Sequence, residues 1–160
     1  EINQYLASKG LAIELSSREE GYLFPDTYYV PKAISALELT KLMKANFEEK
    51  VGEVDPQVVI MASLLEKEVQ TIEDKKIVSG ILWKRLSTQM PLQVDAAPET
   101  YESRGLPARP IANPGMESIT AALKPEESPY WFYLSARDGT TIFSRNFEEH
   151  KAAKAKYLSY

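Results

Sequence analysis

The stretch from Asp55 to Val69 constrains this chain more than any other. Val58 to Leu65 holds one polar residue, Ser63, so a helix here must be buried on most of its sides rather than along one stripe. Asp55 suits the N-cap and Pro56 the first helical position, where a missing N–H costs nothing. The apolar run then meets Glu66-Lys67-Glu68. At about 100° per residue, Glu68 continues the face of Met61, Leu64 and Leu65, while Glu66 lies nearly opposite, beside Val59 and Ala62. A carboxyl group continuing a Leu/Met face is partly desolvated. Desolvation raises its pKa, as a general acid near neutral pH requires. A solvated helix end is the plainer alternative, and the helix alone leaves both open.

The bulk numbers narrow the chemistry. Across 160 residues the net charge is −4 with scattered basic residues, so no field attracts nucleic acid. There is no cysteine and one histidine, His150, which rules out thiolate and zinc–sulfur chemistry and argues against a histidine metal cluster or a Ser-His-Asp triad. Catalysis must rest on carboxylates, amides, hydroxyls and arginine. No stretch reaches the roughly 18 consecutive apolar residues of a membrane span, and no signal-peptide pattern is present. The sequence opens at Glu1 without Met, already in a helical pattern, and reads as an excised or processed piece.

In chain order, Ile2 to Ser8 reads as a short helix closed by Gly10. Glu19 to Pro31 is dense in aromatics and broken by Gly21, Pro25 and Pro31, so it reads as extended structure or ordered loop. Its tyrosines and Phe24 suit either a sugar-stacking platform or a core plug. Ser35-Ala36-Leu37-Glu38 is a capping box opening an amphipathic helix to about Val51, ended by Gly52. A further helix spans about Glu73 to Ser87, with Gly80 permitting close helix approach. Its Arg85 either orients a buried carboxylate or neutralises the surface. Met90 to Ala97 reads as a short strand placing Gln93 and Asp95 on one face. A Pro-rich loop, Gly105 to Gly115, leads into a helix over Met116 to Leu123, with Asn113 in its N-cap region. Tyr130–Ser135 and Thr140–Ser144 read as two strands joined by a turn at Asp138-Gly139. A closing helix from about Asn146 to Leu158 carries His150 as a packing or capping residue. The expectation is one α+β domain over 1–160, mainly helical, with a buried catalytic helix and a small antiparallel hairpin.

Six blocks, in order, resemble one family, the endolytic murein transglycosylases of bacteria. They are Glu20-Gly21-Tyr22-Leu23-Phe24-Pro25-Asp26-Thr27-Tyr28; Met61 to Glu68; Arg85-Leu86 with Met90 to Asp95; Gly105-Leu106-Pro107; Ile111 to Gly115; and Phe143-Ser144 with Glu148-Glu149-His150. The resemblance implies cleavage within peptidoglycan glycan strands, between N-acetylmuramic acid and N-acetylglucosamine, leaving 1,6-anhydro-muramyl ends. It places the catalytic glutamate on the second acid of Glu-Lys-Glu, Glu68, the residue that the helical face also selects. Gln93, Asp95 and Asn113 match motif positions suited to the sugar's N-acetyl and hydroxyl groups. Glu20, Tyr22, Asp26 and Tyr101 fall in motifs expected to line or shape the cleft.

The resemblance implies no metal or organic cofactor, since one carboxyl can serve as acid and then as base. The expected partners are peptidoglycan strands and cell-wall synthesis enzymes. Family members carry an N-terminal membrane helix and a small LysM-like domain, so the resemblance implies that this sequence is the catalytic domain alone. The expected location is therefore a single-pass membrane protein with its catalytic domain on the extracytoplasmic face. The sequence departs from the family in one place. Asp95 runs almost directly into Pro98-Glu99-Thr100-Tyr101, where the family has a longer stretch before an Asn-Thr-Tyr, and Glu99 replaces that Asn. Either the lobe is shortened or a loop is missing from the sequence. Two other readings stand beside the transglycosylase, a hydrolytic muramidase and a non-catalytic peptidoglycan-binding module.

Overall fold

The computed structural model describes residues 15–158, so the helix expected over Ile2 to Ser8 lies outside the described residues. Five α-helices and one two-stranded sheet follow in order: α1 (Ala36–Val51), α2 (Pro56–Glu68), α3 (Ile72–Ser87), α4 (Met116–Leu123), β1 (Phe132–Ser135), β2 (Thr141–Ser144) and α5 (Phe147–Tyr157). The fold is mainly helical α+β, as expected. Each start has a local cause. Ser35 and Glu38 close a reciprocal capping box on α1, Asp55 caps α2 with Pro56 behind it, Thr71 caps α3, and Asn146 caps α5.

Helix α2 is the core. Val59, Met61, Ala62, Leu64 and Leu65 are fully buried, and removing each large side chain from water contributes about 1.5–3 kcal/mol. Helix α4 packs against both α2 and α3, while α5 covers the hairpin. Even Ser63 is satisfied there, donating to the Ile60 carbonyl and accepting the Ile111 N–H. Gly80 does give close approach, but to a loop rather than a helix: a Cβ there would lie 2.0 Å from the Glu126 carbonyl oxygen.

The hairpin is antiparallel, with Tyr133 opposite Phe143, and turns at Asp138-Gly139. Its first strand begins two residues later than expected, at Phe132. The strand expected over Met90 to Ala97 does not form. Gln93 takes a left-handed backbone at φ 54°, and a single bridge joins Val94 to Ala97, so the alternation that was to align Gln93 with Asp95 is broken. The segment instead folds back on itself into a 3-10 turn, Pro98–Tyr101. The buried Thr100 hydroxyl holds that fold, accepting the Val94 N–H and donating to the Ala97 carbonyl.

Candidate active site

Glu68 is the last residue of α2 and sits where the 92–101 loop and strand β1 converge on the helix end. Its Oε1 accepts the Ala96 N–H at 2.9 Å, and its Oε2 lies 3.5 Å from the Tyr133 hydroxyl. The Ser135 hydroxyl donates to its backbone carbonyl at 3.3 Å, tying the hairpin to the helix. Burial pushes the Glu68 carboxyl above the ordinary carboxylate value of 4.5, against the lowering pull of the Ala96 N–H, and the nearby Asp95 charge pushes the same way. The C-terminal end of a helix also disfavours negative charge. This carboxyl is held in one place and biased toward its protonated form.

Around it, Asp95 accepts the Tyr101 hydroxyl, and that bond, with burial, pushes the phenol up to about 12. The ring of Tyr101 remains half exposed beside the pair. Gln93 is exposed on the same loop, its N–H bonded to the Thr100 carbonyl. Glu68, Asp95 and Tyr101 are therefore brought together, with Gln93 on the loop that carries two of them.

The other residues expected at the site are held elsewhere. Asn113 does not cap α4, whose N-cap is Gly115. Its side-chain oxygen instead accepts the N–H groups of Gly21 and Leu23, at 2.8 and 3.1 Å, and so clamps the aromatic motif to the Pro-rich loop. Gly21 sits in that clamp at φ 95°, where a Cβ would strike the Pro110 ring at 2.4 Å. Tyr22 packs edge-on against Phe47 of α1, and Glu20 is half-buried just before the clamp. Asp26 bonds Asn46 and pairs with Lys50 at 3.0 Å; the Asn46 bond, then the Lys50 bond, hold it down at about 2. The aromatic segment is neither wholly plug nor wholly platform: Leu23 and Phe24 are buried, while Tyr29 is fully exposed.

The surface role weighed for Arg85 is overturned. It is 3% exposed and donates from Nε to the Trp131 carbonyl and from Nη1 to the Leu92 carbonyl, both at 2.8 Å. Its guanidinium also lies 5.0 Å from the Phe132 ring centre. One side chain thus fixes the start of the loop on one side of Glu68 and the start of β1 on the other. His150 is a packing residue, buried and stacked on Phe132 at 5.1 Å, with burial lowering its pKa. Among the described residues, no cluster of His, Asp or Glu is arranged to hold a metal.

These features sit in a sequence that matches the YceG-like family over residues 1–99 and 98–156. The chain belongs to the YceG-like family. It is 30% identical to the endolytic murein transglycosylase of Bacillus subtilis (strain 168), covering 88% of this chain and 48% of that protein. It is 23% identical to the endolytic murein transglycosylase of Streptococcus pneumoniae serotype 2 (strain D39), covering 89% of this chain and 33% of that one. A crystal structure of a yceG-like protein from Listeria monocytogenes superposes with a TM-score of 0.75 at 29% identity, covering 85% of this chain and 55% of that chain. The chain thus spans about half the length of the first relative and a third of the second.

The family match breaks at residues 98–99, the junction where Asp95 runs early into Pro98. The 175-position alignment with the Bacillus relative also exceeds this 160-residue chain, so gaps are part of it. In this YceG-like chain the junction lies within the 3-10 turn that places Asp95 and Tyr101. Two residues at the site escaped the sequence reading, Tyr133 and Ala96. The first was hidden in an ordinary strand pattern, and the second acts through its backbone, which no side-chain motif reveals.

Proposed function

We propose that this chain is the catalytic part of a peptidoglycan lytic endotransglycosylase, a lyase that cleaves the MurNAc–GlcNAc β-1,4 bond within glycan strands. The observation that carries this reading is Glu68: one carboxyl, biased toward its protonated form and anchored on a rigid helix end. The relatives named endolytic murein transglycosylase support the substrate class.

In the proposed reaction, protonated Glu68 gives its proton to the glycosidic oxygen as the muramyl C1–O bond breaks, freeing the 4-hydroxyl of the departing GlcNAc. The Glu68 carboxylate then takes the proton of the muramyl C6 hydroxyl, whose oxygen bonds to C1 and closes the 1,6-anhydro ring. Glu68 ends protonated, and no water is consumed. Because the nucleophile belongs to the same sugar, proximity replaces an activated water or a covalent enzyme intermediate. Gln93, Asp95 and Tyr101 line the reacting sugar in this scheme. Asn113, Tyr22 and Asp26 hold the cleft in shape from a distance.

Hydrolysis is the second reading, favoured by one observation: a carboxylate, Asp95, stands close enough to Glu68 to raise its pKa. Two-carboxylate glycosidases use such a partner to activate water or attack the sugar. The engagement of Asp95 by Tyr101 favours the one-carboxylate scheme. Mass spectrometry of digested sacculi separates them: anhydro-muramyl products support transglycosylation, and water-added reducing ends overturn it.

We further propose that the parent protein is anchored in the bacterial membrane, works on its extracytoplasmic face, and acts beside cell-wall synthesis enzymes. No helix among the described residues is long and apolar enough to cross a membrane. Cell fractionation of the full-length protein tests the anchor.

A further inference from the structure

Resting on the role proposed for Glu68, we propose that Tyr133 is a positioning residue that distinguishes the two oxygens of the Glu68 carboxyl, making Oε2 the atom that gives and takes the proton. The asymmetry is geometric. Oε1 receives the Ala96 N–H at 2.9 Å. In a protonated carboxyl the carbonyl oxygen is the better acceptor, so this amide keeps Oε1 as the carbonyl and leaves the proton on Oε2.

Oε2 faces the Tyr133 hydroxyl at 3.5 Å, too far for a strong bond. Long contacts of this kind are common among groups that tighten during reaction. When Oε2 surrenders its proton it becomes an anion in a half-buried setting, and the Tyr133 hydroxyl is the donor positioned to close on it. Tyr133 stands on β1, paired across the hairpin with Phe143, on a strand whose entrance Arg85 holds at the Trp131 carbonyl. Burial, and then the Glu68 charge, push its phenol well above the usual value, so it stays a donor and does not lose its own proton. Once Oε2 recovers a proton from the C6 hydroxyl, the contact lengthens again.

Asp95 presents this carboxyl with a backbone N–H as well as a charge. Asp95 is engaged by Tyr101, and Arg85 is committed to backbone carbonyls.

The test is Tyr133→Phe, which removes the hydroxyl and keeps the ring. In ligand-free protein carrying ¹³C-labelled glutamate carboxyls, NMR titration of Glu68 should shift upward by roughly half a unit. With sacculi as substrate, kcat should fall roughly tenfold while KM holds. A Glu68 titration identical to wild type overturns the proposal, as does a variant that changes KM alone. The titration does not depend on turnover. A wild-type chain that cuts no glycan overturns the functional reading, yet a shifted midpoint in the Phe variant still supports the positioning of Glu68. If circular dichroism shows that Tyr133→Phe fails to fold, 3-fluorotyrosine placed at 133 supplies a stronger donor. It should move the Glu68 midpoint down, and an unmoved midpoint overturns the proposal.

Discussion

Glu66 and Glu68 sit two residues apart on one helix and live in opposite circumstances. Glu66 is surrounded by donors: the Gly115 N–H at 3.1 Å, the Ser118 hydroxyl at 2.6 Å and the buried Lys75 ammonium at 3.8 Å. It binds the first turn of α4 to α2. Glu68 has one firm donor in the Ala96 N–H, weaker ones in the Tyr133 hydroxyl and the Asp95 N–H, and a like charge nearby. A carboxylate whose bonds are made serves the fold, whereas one whose charge is only partly met is free to exchange a proton. The surroundings separate the two, not the residue type.

The largest effect that can break this contrast is on cleavage. Glu68→Gln should lower glycan cleavage about 10²–10⁴-fold, the usual reach of a lost general acid–base group. Its stability should move the other way. A carboxyl whose folded pKa is raised stabilises the fold only where it is protonated, and that contribution disappears as pH rises through the folded value. Glu68→Gln should therefore melt higher than wild type at pH 8, and the advantage should vanish below the ordinary value of 4.5. Melting curves across that range check the sign.

Next comes Arg85→Met, which strands the Leu92 and Trp131 carbonyls. It should cost about 2–4 kcal/mol in urea unfolding and also reduce cleavage per folded molecule. Glu66→Ala should cost about 2 kcal/mol by stranding the Gly115 N–H and the Ser118 hydroxyl and leaving Lys75 to Glu117 alone, with the rate per folded molecule kept within a few-fold. If that variant is as inactive as Glu68→Gln, the division of labour between the two acids is wrong. The smallest effect belongs to Asp95→Asn. Removing the like charge should lower the Glu68 pKa and carry the alkaline limb of kcat/KM to lower pH, read from a pH–rate profile.

The helix that carries Glu68 was legible because its signals are local: a cap, a proline and an unbroken apolar run. The α4 boundaries and the Asp-Gly turn were legible for the same reason. The wall around Glu68 was not. Gln93 adopts a backbone conformation that alternation cannot anticipate. Arg85 finds the Trp131 carbonyl 46 positions along the chain, and the guanidinium alone does not reveal whether it meets water or backbone. Asn113 looked like a helix cap because caps are its commonest local use, but its partners lie 92 and 90 positions earlier. Tertiary context overrode a sound local expectation.

The Asn113 clamp has a consequence for how the site comes into being. The arc of chain it closes, from Gly21 to Asn113, contains Glu68, Arg85, Gln93, Asp95 and Tyr101. The entropy of closing an arc grows only slowly with its length, so one amide side chain is a practical clasp even here. Contacts so distant in sequence reward the chain only after that closure entropy is met, whereas a helix draws on near neighbours. The helix bearing the carboxyl can therefore exist before the surroundings that set its proton affinity. Until the 92–101 loop and β1 reach that helix end, the burial and the Asp95 charge that raise the Glu68 pKa are absent.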